Sequence, residues 1–321
     1  MSLLIHSGQI IVVTGASKGI GAEIASTLGK LGARVVMLAR DIDALNYLAE
    51  EIRQSNSGGE GLPFKVDLTN IEEIKVTVER IFQEIGVPDV LINNAGAGKW
   101  ATIREKSVED IIKDIAVPGI STMTVTKCFL ERMIKKGTAK SPVHIINLTS
   151  PAGLGMYVPG TSSYSVARYM VTNFTELLRT DLRHHKDSVK ISLVVPGKVS
   201  TNYFKSKEEE SRVPMQRWIR ELSPMEVATK ISLIIKNRDG VDLVFPFTMK
   251  ALVVAFKISP TIMQLFLTHV FGWQPPKPDI NKDPKQTFNK SFTNNIPTIA
   301  SLSLIALLCL LFHKNISCRP K

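Results

Sequence analysis

Three glycines recur within the stretch Thr14–Gly21, at a spacing that could hold a phosphate group: Gly15, Gly19 and Gly21. Glycine permits a tight turn and lets the backbone approach a ligand closely. The apolar run Ile10–Val13 precedes the stretch and predicts a strand, and helical periodicity follows it. The start of a helix offers free N–H groups and a positive dipole end to an anion. The stretch therefore indicates a dinucleotide site if the chain builds a parallel sheet around it; a turn without a ligand is the alternative.

Apolar runs alternate with amphipathic segments along the next two hundred residues. The predicted strands lie at 10–13, 34–39, 62–66, 90–92, 143–148, 191–195 and 241–245. Helical patterns lie between them, and Pro118 should kink the long helix predicted at 108–135. Strands that are apolar throughout belong in a parallel sheet covered on both faces. We therefore predict an α/β fold with a Rossmann-like doubly wound parallel sheet, followed by a C-terminal hydrophobic extension.

Composition narrows the classes of partner. The 40 Lys and Arg residues exceed the 29 Asp and Glu residues, and the net charge is +11. Such an excess suits an anionic cofactor, an anionic membrane surface or nucleic acid. The basic residues are spread along the chain without a nucleic-acid motif, so we expect no nucleic-acid partner. Cys128, Cys309 and Cys318 have neither disulfide nor metal-ligand spacing, and we expect no metal. The N-terminus lacks the pattern of a signal peptide, which argues against secretion.

The composition changes after a first domain predicted at 1–248. Residues 249–273 are apolar with few charges, which predicts either helices that cover the domain or a membrane-interfacial segment. Residues 274–295 form a polar linker rich in proline and lysine. Residues 296–312 contain no charge and precede a basic tail, 313–321. This length is near the lower limit for a spanning helix, and we predict a transmembrane tail anchor, with a buried or dimer-forming helix as the alternative.

With these elements placed, the chain resembles the short-chain dehydrogenase/reductase family over residues 9–247. Four motifs carry the resemblance: Thr14-Gly15-x-x-x-Gly19-x-Gly21, Asn93-Asn94-Ala95-Gly96, Ser150 with Tyr164, and Pro196-Gly197-x-x-x-Thr201. The family transfers a hydride between a nicotinamide cofactor and a carbonyl or alcohol, and the resemblance makes residues 1–248 the domain that binds this cofactor.

The resemblance also implies which residues bind the cofactor. The glycine loop would hold the pyrophosphate, Asp67 and Leu68 the adenine, Asn94 the adenosine side, and Thr201 the nicotinamide carboxamide. The turn that contains Asn94 could also simply brace the sheet. The complete expected set is Gly15, Ser17, Lys18, Gly19, Ile20, Gly21, Arg40, Asp67, Leu68, Asn94, Arg168, Pro196, Gly197 and Thr201.

The end of the second strand predicts which cofactor is used. NAD-binding proteins place an acidic residue there to grip the ribose 2′-hydroxyl group. This chain has Arg40 at that point and Lys18 in the glycine loop, and two cations favour the 2′-phosphate of NADP(H). We expect the neighbouring Asp41 to point away from the cofactor. Solvated surface charges are the alternative interpretation of the two basic residues.

The implied catalytic residues are Tyr164, Ser150 and Arg168, and they depart from the family pattern. In the family a lysine follows the tyrosine by four residues, assists its ionisation and holds the nicotinamide ribose; here that residue is Arg168. Arginine keeps the positive charge but cannot release a proton. Ala116 occupies the position of an asparagine that anchors a water in the family. Ser150 lies one residue further from Tyr164 than is usual, and Thr149 offers a substitute hydroxyl.

These patterns predict an NADP(H)-dependent oxidoreductase with degenerate catalytic residues, acting on a lipophilic small-molecule substrate at a membrane. The alternative is a catalytically impaired NADP(H)-binding scaffold or redox sensor on a membrane. A single-pass tail anchor would leave the domain facing the cytosol, at the endoplasmic reticulum or, as the alternative, the mitochondrial outer membrane. The sequence is compatible with a homodimer.

Overall fold

A single parallel sheet organises the computed structural model, which describes residues 8–96, 98, 101–156, 160–201, 220–238, 240–263 and 265. Its strands are β1 (Ile10–Thr14), β2 (Arg34–Ala39), β3 (Glu60–Lys65), β4 (Val90–Asn93), β5 (Val143–Leu148), β6 (Val189–Pro196) and β7 (Asp242–Phe245). The order across the sheet is β3-β2-β1-β4-β5-β6-β7, and all neighbours run parallel. The chain winds from β1 to one edge and then returns to build the other half. This is the Rossmann-like doubly wound sheet that the apolar strands predict.

Helices cover both faces of the sheet. They are α1 (Gly19–Lys30), α2 (Ile42–Gln54), α3 (Ile71–Glu84), α4 (Val108–Ile115), α5 (Ser121–Lys136), α6 (Ser162–Asp181), α7 (Pro224–Asn237) and α8 (Phe247–Ile258). One apolar core lies between the sheet and α1, α2 and α7, and another lies between the sheet and α3, α5 and α6. Ile11 and Val13 face the first core and Val12 faces the second, because successive side chains of a strand point to opposite faces. Because these side chains are buried, they fix the position of the carboxyl ends of the strands.

The kink expected at Pro118 is a π-helical turn, Ala116–Ile120, between α4 and α5. Proline has no N–H group to donate and interrupts the helical hydrogen-bond pattern. The Thr122 hydroxyl donates to the Pro118 carbonyl at 2.7 Å, and the Ser121 hydroxyl donates to the Val117 carbonyl. Ala116, the expected position of the missing asparagine, begins this turn.

The structure describes only part of the C-terminal region predicted from the sequence. The expected boundary after residue 248 falls inside α8, whose Leu252, Val253 and Phe256 are buried. The predicted linker 274–295, the predicted anchor 296–312 and the basic tail 313–321 lie outside the described residues. Among the residues described, no helix combines the length and apolar character needed to cross a membrane.

A buried histidine between β5 and β6 predicts acid sensitivity of the fold. Burial, with a smaller contribution from the charge of Lys190, lowers the pKa of His144 from 6.5 to about 4. Between these pH values the unfolded chain binds a proton that the folded chain does not, so the stabilisation is complete above pH 6.5 and is lost progressively as the pH falls from 6.5 through about 4. We expect the free energy of unfolding to fall by up to about 3 kcal/mol over this range.

The measurement is urea unfolding at several pH values, for the wild type and for His144→Gln. Glutamine does not titrate and can still bond the Ser192 hydroxyl, which lies 2.8 Å from Nε2 of His144. The variant should lose most of the pH dependence between pH 6.5 and 4, the two pKa values of the histidine. An unchanged pH dependence would show that other groups cause it.

Candidate functional site

The loop between β1 and α1 has the backbone conformation that a phosphate cradle needs. Gly15 and Gly19 have φ angles of 68° and 59°, where side chains other than glycine are strained. The Gly15 amide donates to the Leu38 carbonyl at 2.8 Å and ties the loop to β2. Ser17 lies within the loop, and Lys18 is the N-cap of α1 without a capping side-chain hydrogen bond. The Lys18 side chain does not bond the first N–H groups of α1, and these groups can therefore bind an anion.

The loop packs so closely on the end of β4 that Gly21 has no room for a side chain. A Cβ atom there would lie 2.2 Å from the Gly15 oxygen and 2.5 Å from Nδ2 of Asn94. Asn94 Nδ2 donates to the Thr14 carbonyl at 2.9 Å, and the Asn94 amide donates to the Thr14 hydroxyl at 3.0 Å. The Asn94 side chain therefore braces the glycine loop, and its contact with adenosine stays a prediction. Ile20 lies in the first turn of α1 and packs against the core.

Arg40 follows β2 directly and is exposed at the same edge of the sheet. The carbonyl of Leu38, two residues earlier, is the group that receives the Gly15 amide, so Arg40 lies close to the glycine loop. Asp41 is occupied elsewhere, because its carboxylate accepts from the Ala44 amide at 3.1 Å and caps α2. The basic residue, and not the acidic one, is thus available to a ligand.

Asp67 follows β3 and forms a local turn with Thr69. Its Oδ1 accepts from the Thr69 amide at 2.9 Å and from the Thr69 hydroxyl at 2.8 Å. The amide bond chiefly lowers the pKa of the Asp67 carboxyl, and the Thr69 hydroxyl and the charge of Arg40 add to the effect. The Leu68 side chain is buried in the core, which leaves only its backbone for the predicted adenine contact.

The loop after β6 meets the glycine loop. The Gly197 amide, following Pro196, donates to the Phe245 carbonyl at 2.8 Å and holds the loop against β7. A Cβ atom at Gly19 would lie 3.4 Å from Cγ2 of Thr201. The two predicted cofactor loops are therefore neighbours at the carboxyl edge of the sheet.

Arg168 is buried beside Tyr164 on α6. Its guanidinium carbon lies 5.1 Å from the centroid of the Tyr164 ring, and Nη1 donates to the Leu148 carbonyl at 3.0 Å. The guanidinium covers Gly96, where a Cβ atom would lie 2.0 Å from Nη2. Among the described residues, the buried Nε has no hydrogen-bond partner. The arginine thus brings a positive charge and an unpaired donor next to the phenol.

Ser150 and Thr149 have different roles at the end of β5. Ser150 begins the 3-10 turn Pro151–Leu154, and its hydroxyl oxygen accepts from the Ala152 amide at 3.2 Å. Thr149 is buried, and its hydroxyl donates to the Arg168 carbonyl at 2.9 Å. This hydroxyl thus holds the backbone of α6, and its use as a substitute catalytic hydroxyl stays a prediction.

A buried charged cluster beside the site has no counterpart among the sequence predictions. Nζ of Lys106 contacts a carboxylate oxygen of Asp114 on α4 and lies 2.6 Å from the hydroxyl of Ser163 on α6. The Ser163 hydroxyl donates to the same Asp114 oxygen at 2.7 Å. All three residues are buried, so the serine and lysine cannot act on a substrate as a nucleophilic pair. The cluster joins α4 to the helix turn that carries Tyr164.

The described side chains fit a nicotinamide dinucleotide. The glycine loop has the positive φ angles for a close backbone approach, and α1 begins without side-chain capping by Lys18. Arg168 keeps an unpaired buried donor next to Tyr164. The residues from six strand ends, those of β1 to β6, gather at one edge, as the ligand sites of doubly wound sheets do.

The comparisons with known proteins agree with this geometry. A family model described as short chain dehydrogenase matches residues 9–212. Dehydrogenase/reductase SDR family member 11 of Bos taurus is 30% identical over 243 residues, which cover 73% of this chain and 93% of that protein.

Two solved structures share the fold. An alcohol dehydrogenase from the archaeon Thermococcus sibiricus, complexed with 5-hydroxy-NADP, is 25% identical with a TM-score of 0.62, over 74% of this chain and 96% of that chain. A metagenomic short-chain oxidoreductase in complex with NADP is 30% identical with a TM-score of 0.61, over 76% of this chain and 97% of that chain. The chain therefore belongs to the short-chain dehydrogenase/reductase family of oxidoreductases.

Proposed function

We propose that the protein is an NADP(H)-dependent oxidoreductase that reduces a carbonyl group, or oxidises an alcohol, on a lipophilic substrate at a membrane. The observation that carries this proposal is the pairing of Tyr164 with the buried Arg168 at the edge where the glycine loop and the Thr201 loop meet. A phenol beside a fixed cation is suited to exchange a proton with a substrate oxygen.

Each catalytic group has a defined task. Bound at this edge, the nicotinamide would supply or accept the hydride. The Tyr164 hydroxyl would give the proton to the carbonyl oxygen, and the charge of Arg168 would stabilise the phenolate that remains. The Ser150 hydroxyl oxygen accepts from the Ala152 amide, and this leaves its proton to be donated to the substrate.

The choice of NADP(H) rests on charge at the end of β2. Arg40 is exposed beside the glycine loop, Lys18 is exposed within it, and Asp41 caps α2. A guanidinium can bind a 2′-phosphate in bidentate fashion, which a carboxylate would repel. The NADP and 5-hydroxy-NADP in the two related structures support the same choice.

We expect Arg40→Ala to weaken NADPH binding about 10- to 100-fold and to leave NADH binding nearly unchanged, because a charge-assisted bond to the phosphate is lost. Titration calorimetry with both nucleotides measures this. Arg34→Ala is the matched control, since Arg34 is at the other end of β2 and pairs with Glu60 at 3.0 Å. Wild-type protein that binds NADH as tightly as NADPH would contradict the choice of cofactor.

A second candidate function follows from Arg168 and Ala116. Arginine cannot release a proton to a relay, and alanine cannot hold the water expected at the π-helical turn. These two residues favour a membrane-bound scaffold or redox sensor that binds NADP(H) with little turnover. Assays of NADPH oxidation with a panel of long-chain aldehydes, ketones and keto-sterols separate the two functions.

The membrane and the lipophilic substrate are proposed from the sequence beyond the described residues. The charge-free segment 296–312 and the linker 274–295 would tether the domain, 1–248, to a membrane with its active edge in the cytosol. The endoplasmic reticulum is the proposed location and the mitochondrial outer membrane the alternative. A tethered enzyme suits a substrate that partitions into lipid, and a homodimer is compatible with this arrangement.

A further inference from the structure

We propose that the outward face of α8 rests on an anionic lipid surface and turns the substrate side of the site toward the bilayer. The outward face of α8 consists of Phe247, Lys250, Val254, Lys257 and Ile258. The proposal rests on the proposed function, since it specifies how a membrane-bound reductase would meet a lipophilic substrate.

Three apolar side chains of this face are exposed. Phe247 is 77% exposed, Val254 48% and Ile258 68%. Their spacings of seven and four residues place them on one side of the helix. The opposite side packs into the domain through buried residues at complementary positions, which are Met249, Leu252, Val253, Ala255 and Phe256. The helix therefore has one side bound to the protein and one side available to a partner.

The charges around this face point to lipid as the partner. Lys250 and Lys257 are exposed beside the apolar side chains. No acidic residue occurs in the sequence between Asp242 and Asp279. Lysines that flank exposed Phe, Val and Ile side chains are typical of helices lying in the interface of an anionic membrane. The segment 296–312 of the same chain is also uncharged in sequence and would add a second apolar contact with that membrane.

The inner side of α8 connects this face to the site. Val253 packs with Leu154, Leu193 and Val195, and Leu154 belongs to the turn that begins directly after Ser150. A Cβ atom at Gly197 would lie 3.4 Å from Cε of Met249. The helix thus covers the loops that follow β5 and β6, between which a substrate would reach Tyr164. A bilayer against the outward face would lie on the route of a lipophilic substrate.

The test uses the full chain with Cys128, Cys309 and Cys318 replaced by serine and a single environment-sensitive fluorophore on Val254→Cys. The protein is mixed with vesicles of phosphatidylcholine alone or with added phosphatidylserine. Leu233→Cys carries the matched label, because Leu233 is on α7 and is 50% exposed, close to the 48% of Val254. We expect a blue shift and quenching by nitroxide lipids at position 254 only, strongest with phosphatidylserine and lost in Lys250→Glu/Lys257→Glu.

Equal emission at positions 254 and 233 on vesicles that retain the protein would overturn the proposal. Failure of the full chain to bind either kind of vesicle would also overturn it. NADPH oxidation, measured on the same samples, separates the inference from the proposed function. An active, vesicle-bound protein whose label at 254 stays in water would reject the α8 contact and leave the enzyme in place.

Discussion

Replacing Tyr164 with phenylalanine is expected to lower kcat for carbonyl reduction about 100- to 10,000-fold, because the variant lacks the hydroxyl proton that the substrate oxygen needs. We expect this substitution to disturb the fold little. Phenylalanine keeps the ring whose centroid lies 5.1 Å from the Arg168 guanidinium carbon. We therefore expect the Kd for NADPH to stay within about twofold of the wild-type value, since only a proton donor to the substrate is removed. Steady-state NADPH oxidation and nucleotide titration give the two quantities.

Tyr169→Phe makes the same chemical change one and a half turns further along α6 and serves as the control. Its activity should stay near that of the wild type. Equal turnover in Tyr164→Phe and wild type would reject Tyr164 as the proton donor. An inactive wild type that gains activity through Arg168→Lys, alone or with Ala116→Asn, would support the scaffold instead.

Replacing Lys106 with methionine is expected to lower the free energy of unfolding by about 3–5 kcal/mol. The side chain of Lys106 is fully buried and that of Asp114 is only 5% exposed. Removal of the ammonium group would leave a buried carboxylate with the Ser163 hydroxyl as its remaining partner within the cluster. Urea unfolding followed by circular dichroism measures the loss.

Two further variants separate charge pairing from general effects of the substitution. Lys106→Met/Asp114→Leu removes both charges and should recover most of the stability, because apolar residues of similar size can replace a buried ion pair. Lys30→Met breaks the Lys30–Glu51 pair, whose side chains are 44% and 43% exposed, and should cost about 0–1 kcal/mol. A loss in Lys106→Met as small as that in Lys30→Met would show that the buried pair contributes little.

The sheet could be predicted wherever strands are buried on both faces. The bounds of β2 and β5 agree with the apolar runs, because nearly every residue of both strands is buried. β3 begins at Glu60, two residues before the prediction, since only Phe64 of this edge strand is buried and its first residues lack an apolar signal. The start of α6 at Ser162 is not marked in the sequence pattern, because polar residues in a first turn do not show helical periodicity.

The site was predictable in its location and not in its contacts. A parallel sheet brings the carboxyl ends of its strands to one edge, which explains why the glycine loop and the Thr201 loop meet there. Lys106 gave no such signal, because a single lysine before a helix is ordinarily solvated. Its burial depends on Asp114 and Ser163, which follow at distances in sequence that match no short motif.

The contact between Gly96 and Arg168 makes two distant positions depend on each other during evolution. A methyl group at position 96 would occupy the space of the guanidinium, at 2.0 Å from Nη2. An alanine there would force the arginine away from the Leu148 carbonyl, whereas a lysine at 168 has no branched end to collide. An arginine at 168 is therefore acceptable only in a lineage that already has glycine at 96. Relatives with arginine at 168 should therefore keep that glycine.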